Sequence, residues 1–220
     1  MKKQFYPLMQ SPVFKAAFKF VAVIKYLFFP FLFVQSQDVN FQQLIGNHAI
    51  TAQVETQTTI WLGTADGIYC INKKNQKVTH ITESNSVLPA NRVTDMCMTN
   101  SGNVYATTTK GIFRFDGYTY IAYTSENTNL PRTTFTAIAS DKTGLLWVGT
   151  SNQGLICMNG YKVQLFNTSN SPISSNAVES VASDNAGKIY AILSNKDMVV
   201  AGEKSLRLIR SEWQIAIKQN

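Results

Sequence analysis

From about residue 50 onward, apolar and polar positions alternate in short runs, and the runs recur. In the third recurrence the period-2 pattern predicts strands over Phe135–Ser140, Leu145–Thr150, Leu155–Met158 and Lys162–Phe166. Turn residues separate them. Asp141-Lys142-Thr143-Gly144 and, one period later, Asp184-Asn185-Ala186-Gly187 read as turns in which Asp bonds nearby backbone and glycine takes the left-handed conformation. One aromatic marks each period: Trp61, Tyr105, Trp147 and Tyr190 are spaced by 44, 42 and 43 residues. Gly102, Gly144 and Gly187 each stand three residues before the aromatic, with Thr58 in the first copy. Gly67, Gly111 and Gly154 follow it by six or seven residues, with Asp197 in the fourth copy, and suit hairpin turns that need positive φ.

Four strands in about 43 residues, with a turn at every corner, make one blade of a β-propeller. The expected fold is therefore all-β: a partial β-propeller of about four blades, each of four antiparallel strands. Blades are placed at about 49–81, 92–123, 135–166 and 177–210, within a repeat region of 38–210 that a tail, 211–220, follows. The terminal copies match the pattern less well, as end repeats do. Residues 38–48 precede the first strand, and the tail alternates Trp213, Ile215 and Ile217, so both are spare segments able to pair with something. Trp61, Tyr105, Trp147 and Tyr190 are assigned to packing between blades, because each blade buries a face on the next.

Composition agrees. Charged residues are only 15% of the chain against 45% hydrophobic, and Ser, Thr and Asn supply much of the polarity. Helical bundles lean instead on Glu and Lys. The net charge of +7 resembles a nucleic-acid signal until it is located. Lys2, Lys3, Lys15, Lys19 and Lys25 precede every acidic residue, and the rest of the chain carries 15 basic against 13 acidic residues. No clustered basic patch remains, so nucleic acid is not an expected partner.

The first 36 residues read as a targeting segment. Lys2 and Lys3 open it, Tyr26–Val34 is an uninterrupted apolar run, and Val34-Gln35-Ser36 ends it as a signal peptidase site would. The run is shorter than the ~20 residues of a membrane span. A cleaved signal, giving a periplasmic or secreted protein, is the expectation; the alternative is an inner-membrane anchor.

Little in the sequence points to catalysis. There are three cysteines and two histidines, His48 and His80, with no CxxC, HExxH, nucleophile elbow or P-loop. No enzyme activity, cofactor, metal or catalytic residue is expected. Cys97 aligns with Ala139 and Ala182 and reads as a buried core residue, while Cys70 and Cys157 share a more accessible repeat position. The candidate ligand-binding residues lie in the second-to-third strand turns: Asp66, Lys110, Gln153 and Lys196. The inter-blade loops 82–91, 124–134 and 167–176, rich in Ser, Thr and Asn, belong on the same face.

These residues carry a family likeness. Asp141–Leu155 (DKTGLLWVGTSNQGL) resembles the core of the two-component regulator propeller repeat. Leu165–Gly187 is similar to the segment that links two such blades, and Ile60–Asn72 matches as well. The resemblance implies a periplasmic sensor propeller of the kind carried by hybrid histidine kinases of Bacteroidetes, many of which sense glycan fragments. The expected function is then a non-enzymatic extracytoplasmic ligand-recognition module, its partner an unidentified small ligand with an oligosaccharide as one candidate. The alternative is a structural or protein-interaction element, or a fragment of a larger two-component sensor. Complete propellers of the family have more than four blades. Four units leave two terminal blade faces bare unless the ring closes, so self-association, or association with other propeller or sensor chains, is a further expectation.

Overall fold

Among the described residues, sixteen strands, all antiparallel to their neighbours, form four separate sheets. The computed structural model describes residues 45–202 and 205–209, which belong to one unit of the chain, Phe41–Asn220. The leader over 1–36, the spare segment 38–44 and the tail lie outside the described residues.

Blade 1 comprises β1 (Ile50–Glu55), β2 (Thr59–Thr64), β3 (Gly67–Asn72) and β4 (Val78–Ile81). Blade 2 comprises β5 (Val93–Met98), β6 (Val104–Thr108), β7 (Gly111–Phe115) and β8 (Tyr120–Thr124). Blade 3 comprises β9 (Phe135–Ser140), β10 (Leu146–Thr150), β11 (Leu155–Asn159) and β12 (Lys162–Phe166). Blade 4 comprises β13 (Val178–Ser183), β14 (Ile189–Leu193), β15 (Met198–Gly202) and β16 (Ser205–Ile209). Strands neighbour one another in chain order within every sheet. The all-β partial propeller is thus the observed fold. The first strands pack in series, β1 on β5, β5 on β9 and β9 on β13, and so line the inside. Among the described residues β13 does not return to pack on β1 as the others do, so the blades form an open arc.

Alternation along each strand divides its side chains between two neighbours. On β10, Leu146 and Val148 face blade 2, where they join Tyr105, Ile112 and Tyr123. Trp147, between them, faces blade 4 and packs on Val178, Val181, Ile189 and Ala191. Trp61 does the same toward Val93, Met96 and Phe113 of blade 2. Trp61, Tyr105 and Trp147 are 1%, 7% and 5% exposed, whereas Tyr190, with no following blade among the described residues, is half-buried. Three of the four repeated aromatics therefore fill interfaces, and removing one such buried ring costs about 3–5 kcal/mol.

A second repeated device fastens the inner strands. In each blade the inner strand holds one extra residue relative to its partner: Thr51, Thr94, Thr136 and Glu179. Such a β-bulge re-aims the extra side chain. The hydroxyl of Thr51 donates to the Val93 carbonyl at 2.8 Å, that of Thr94 to Phe135 at 2.6 Å, and that of Thr136 to Val178 at 2.7 Å. Each acceptor is the residue just before the next blade's own bulge. Asp95 adds a further tie, its carboxylate accepting the Ile138 N–H of blade 3 at 2.9 Å. Close approach completes the fit: a Cβ on Gly149 would lie 2.8 Å from Val178 Cγ1.

Each terminal face carries buried apolar side chains among the described residues. On blade 1 the face turned away from blade 2 buries Leu62, Ile71 and Tyr69 (0%, 1% and 8% exposed), and Ile45 packs on it. On the outer side of blade 4, Met198 and Val200 are 8% and 7% exposed. Cys70, Cys97 and Cys157 are free thiols on residues of intermediate exposure, and Cys97, packed against the blade 2–blade 3 core, has the most deeply desolvated thiol of the three. Burial pushes Cys70 and Cys157 up to about 11, and Cys97 higher still, so all three stay protonated at neutral pH.

Candidate functional site: the loop face

The turn between the second and third strands of each blade is closed by a buried threonine. The hydroxyls of Thr64, Thr108 and Thr150 donate to the carbonyls of Gly67, Gly111 and Gly154 at 3.0, 2.9 and 2.6 Å. Sequence reading missed this role, although a threonine three residues after each of the first three aromatics was a visible signal. Gly67 and Gly154 take positive φ, at 123° and 108°, as expected. Gly111 does not. It is glycine because a Cβ would stand 2.6 Å from the Tyr123 carbonyl of the adjacent outer strand. In blade 4 the left-handed residue is Lys196, at φ 68°, and Asp197 is buried, its carboxylate accepting from the Ser174 hydroxyl at 2.6 Å.

The same pairing that sets Gly111 opposite Thr124 brings the end of each outer strand to these turns, so the inter-blade loops share the face. Each loop is tied by one repeated asparagine. Asn85 accepts from the Thr82 N–H and donates to the His80 carbonyl; Asn127 does so with Thr124 and Ala122, and Asn170 with Asn167 and Leu165. A hydroxyl one residue later, on Ser86, Thr128 or Ser171, bonds the carbonyl at the loop start. Leu88, Leu130 and Ile173 anchor the loops in the core at 2%, 3% and 4% exposure. The Asn and Ser density is therefore largely structural: it holds the loops in one conformation.

Asp66, Lys110, Gln153 and Lys196 all sit on this face, at the tips of the turns. Asp66 is exposed, and its backbone carbonyl meets His80 Nε2 at 2.9 Å. Lys110 is exposed and reaches Glu83 Oε1 at 3.1 Å. Gln153 is half-buried, its N–H bonded to the Thr150 hydroxyl at 3.0 Å. Lys196 is exposed and pairs with Glu179 at 2.6 Å. No bond joins the four to one another among the described residues. The structure gathers them on one face without converging them on one point.

The remaining sequence candidates are structural. Gly102, Gly144 and Gly187 take φ of 84°, 88° and 77° in the turns at the opposite end. His80 stacks on Tyr69 with ring centroids 4.1 Å apart. Among the described residues no group of three or more His, Cys, Asp or Glu is placed to hold a metal. No helix among them is long and apolar enough to cross a membrane.

Residues 129–152 match the family model of the two-component regulator propeller. No curated protein matches the chain. Among solved structures, the extracellular domain of a one-component system of B. thetaiotaomicron superposes with a TM-score of 0.60 at 19% identity, over 75% of this chain and 22% of that one. Virginiamycin B lyase from Staphylococcus aureus superposes equally well, at 14% identity over 74% of this chain and 56% of that one. PorZ of Porphyromonas gingivalis, a surface component of the type-IX secretion system, gives a TM-score of 0.50 at 18% identity, over 74% of this chain and 26% of that one. The chain thus spans about a fifth of that extracellular domain and about half of the lyase. An extracellular domain of a one-component system and an enzyme share this fold, so the fold by itself does not choose between their roles. What it and the matched segment establish together is a β-propeller array in which residues 129–152 match the two-component regulator propeller repeat.

Proposed function

We propose that this chain is a non-enzymatic, extracytoplasmic ligand-recognition module whose ligand, an oligosaccharide in the leading reading, docks on the loop face. The observation that carries this is the contrast between fixed loops and available tips. The asparagine and hydroxyl bonds hold the inter-blade loops in place, while Asp66, Lys110 and Lys196 project from that framework into solvent. A preorganised surface loses little entropy on binding. The ion pairs of Lys110 and Lys196 are exposed on both partners, a class worth about 0–1 kcal/mol, so a ligand hydroxyl or carboxylate can replace the glutamate at small cost. The extracellular domain among the structural neighbours supports the location. The protonated thiols and the engaged His80 support a role without catalysis.

Calorimetric titration of the full chain with a panel of neutral and acidic oligosaccharides tests this. The double variant Lys110→Ala/Gln153→Ala is expected to weaken binding about tenfold while moving the melting temperature by less than the ~2–4 °C that one kcal/mol produces. Unaltered affinity of the double variant would take the site off the loop face.

A further inference from the structure

At the opposite end of the arc, blades 2 and 3 and blades 3 and 4 meet through the turns that join first and second strands. Between blades 2 and 3 the gap is closed: the Asn100 side-chain amide donates to the Lys142 carbonyl at 3.1 Å. One repeat later the position of Asn100 is held by Lys142 itself, which makes no such bond among the described residues. A cavity of about 360 Å³ opens there, lined by Asp141, Lys142, Trp147, Lys188, Ile189 and Ala201. Gly187 lets the two turns meet at its edge, since a Cβ there would stand 2.5 Å from the Lys142 backbone nitrogen.

Two carboxylates and two ammonium groups border this cavity, and they differ in how they are engaged: the carboxylates are held by hydrogen bonds, while Lys188 Nζ lies 5.9 Å from the Tyr190 ring centroid. Asp141 lines it, but its carboxylate accepts from the Thr143 N–H, the Thr143 hydroxyl, the Leu145 N–H and, at 3.4 Å, the Trp147 indole N–H. Asp184 nearby accepts from the Ala186 and Lys188 N–H groups and the Tyr190 hydroxyl. Lys142 and Lys188 are exposed and form no salt bridge among the described residues. Lys73, Lys110 and Lys196, in contrast, are each paired with a glutamate. The base of the cavity is apolar, with Trp147, Ile189 and Ala201 at 5%, 1% and 2% exposure.

We propose that this cleft between blades 3 and 4 is a binding site for a small organic anion: a carboxylate held by Lys142 and Lys188, with a compact apolar body over Trp147, Ile189 and Ala201. The volume is at the lower end of the ~300–1,000 Å³ typical of ligand cavities. The site stands apart from the loop face and does not depend on the reading given for it.

The test is titration of the full chain with phenylacetate, and with its uncharged analogue phenylacetamide, followed by heat and by Trp147 fluorescence. Phenylacetate is expected to bind saturably, and phenylacetamide about tenfold more weakly. Lys142→Met and Lys188→Met should each weaken phenylacetate several-fold, Lys142→Arg should restore binding, and Lys110→Ala/Gln153→Ala should leave it unchanged. Absence of saturable binding, equal affinity for acid and amide, or indifference to both Lys→Met changes would overturn the proposal.

Discussion

The interface between blades 3 and 4 and the outer face of blade 4 are built from the same repeat positions with different residues. At the interface, Thr136 bonds the next inner strand, Gly149 leaves room for Val178, and Trp147 fills the space beyond. On the outer face those positions hold Glu179, Ile192 and Tyr190. Glu179 turns to its own blade and pairs with Lys196. Ile192 fills the room that a neighbour's valine would use, and Tyr190 bonds Asp184 at 3.2 Å. Of these three positions only the bulged threonine is common to all three internal interfaces, since blade 2 carries Tyr105 and Thr107 where blade 3 has Trp147 and Gly149, and blade 4 is the one that lacks it. What marks an internal face in this array is that position rather than the general hydrophobicity of its blades.

The largest difference should come from the aromatics. Trp147→Ala is expected to destabilise by about 3–5 kcal/mol, because it empties a packed interface. Tyr190→Ala on the outer face should cost about 1–2 kcal/mol, since a half-buried ring loses less contact. Chemical denaturation of both variants would check this, and equal losses would erase the distinction between the faces. Next come the small residues. Gly149→Ala drives a methyl group into Val178 and Thr136, for about 1–3 kcal/mol. Ile192→Ala, with no blade pressed on it among the described residues, should fall near the ~1 kcal/mol of an ordinary substitution. Thermal unfolding of the pair separates them, and a tolerated Gly149→Ala would mean that the interface is looser than its geometry.

Much of this fold was legible in the sequence, and the parts that were not share a cause. The alternation places β9 and β12 at their observed bounds, starts β10 one residue early and stops β11 one residue short. Those strands are rich in apolar residues, and glycine, Asp or Asn stands close to their ends. The bulges escaped notice because an extra residue breaks a period-2 pattern without saying which residue is extra. Thr51, Thr94 and Thr136 look like ordinary polar strand positions until the neighbouring blade is present. The candidate site was legible in the same partial way. Equivalent turn tips had to share one face, and they do. The pairing of Lys110 with Glu83, 27 residues away, rests on contacts that local pattern does not encode. The cleft between blades 3 and 4 was hidden for a related reason. It arises from what Lys142 fails to bridge, and only comparison with Asn100 in the folded array makes that visible.

The account rests most heavily on the bulged threonines as the fasteners between blades, and one set of melting temperatures tests that. Val keeps the shape of Thr and removes the hydroxyl, so Thr94→Val and Thr136→Val should each lose about 1 kcal/mol, the net value of one hydrogen bond. That corresponds to about 2–4 °C in melting temperature for a chain of this size. Glu179→Val, at the same repeat position on blade 4, removes only an exposed ion pair and should shift it by less than about 1 °C. A fall at the two threonines with none at Glu179 is the predicted result. Equal shifts at all three positions, or none at the threonines, would contradict it.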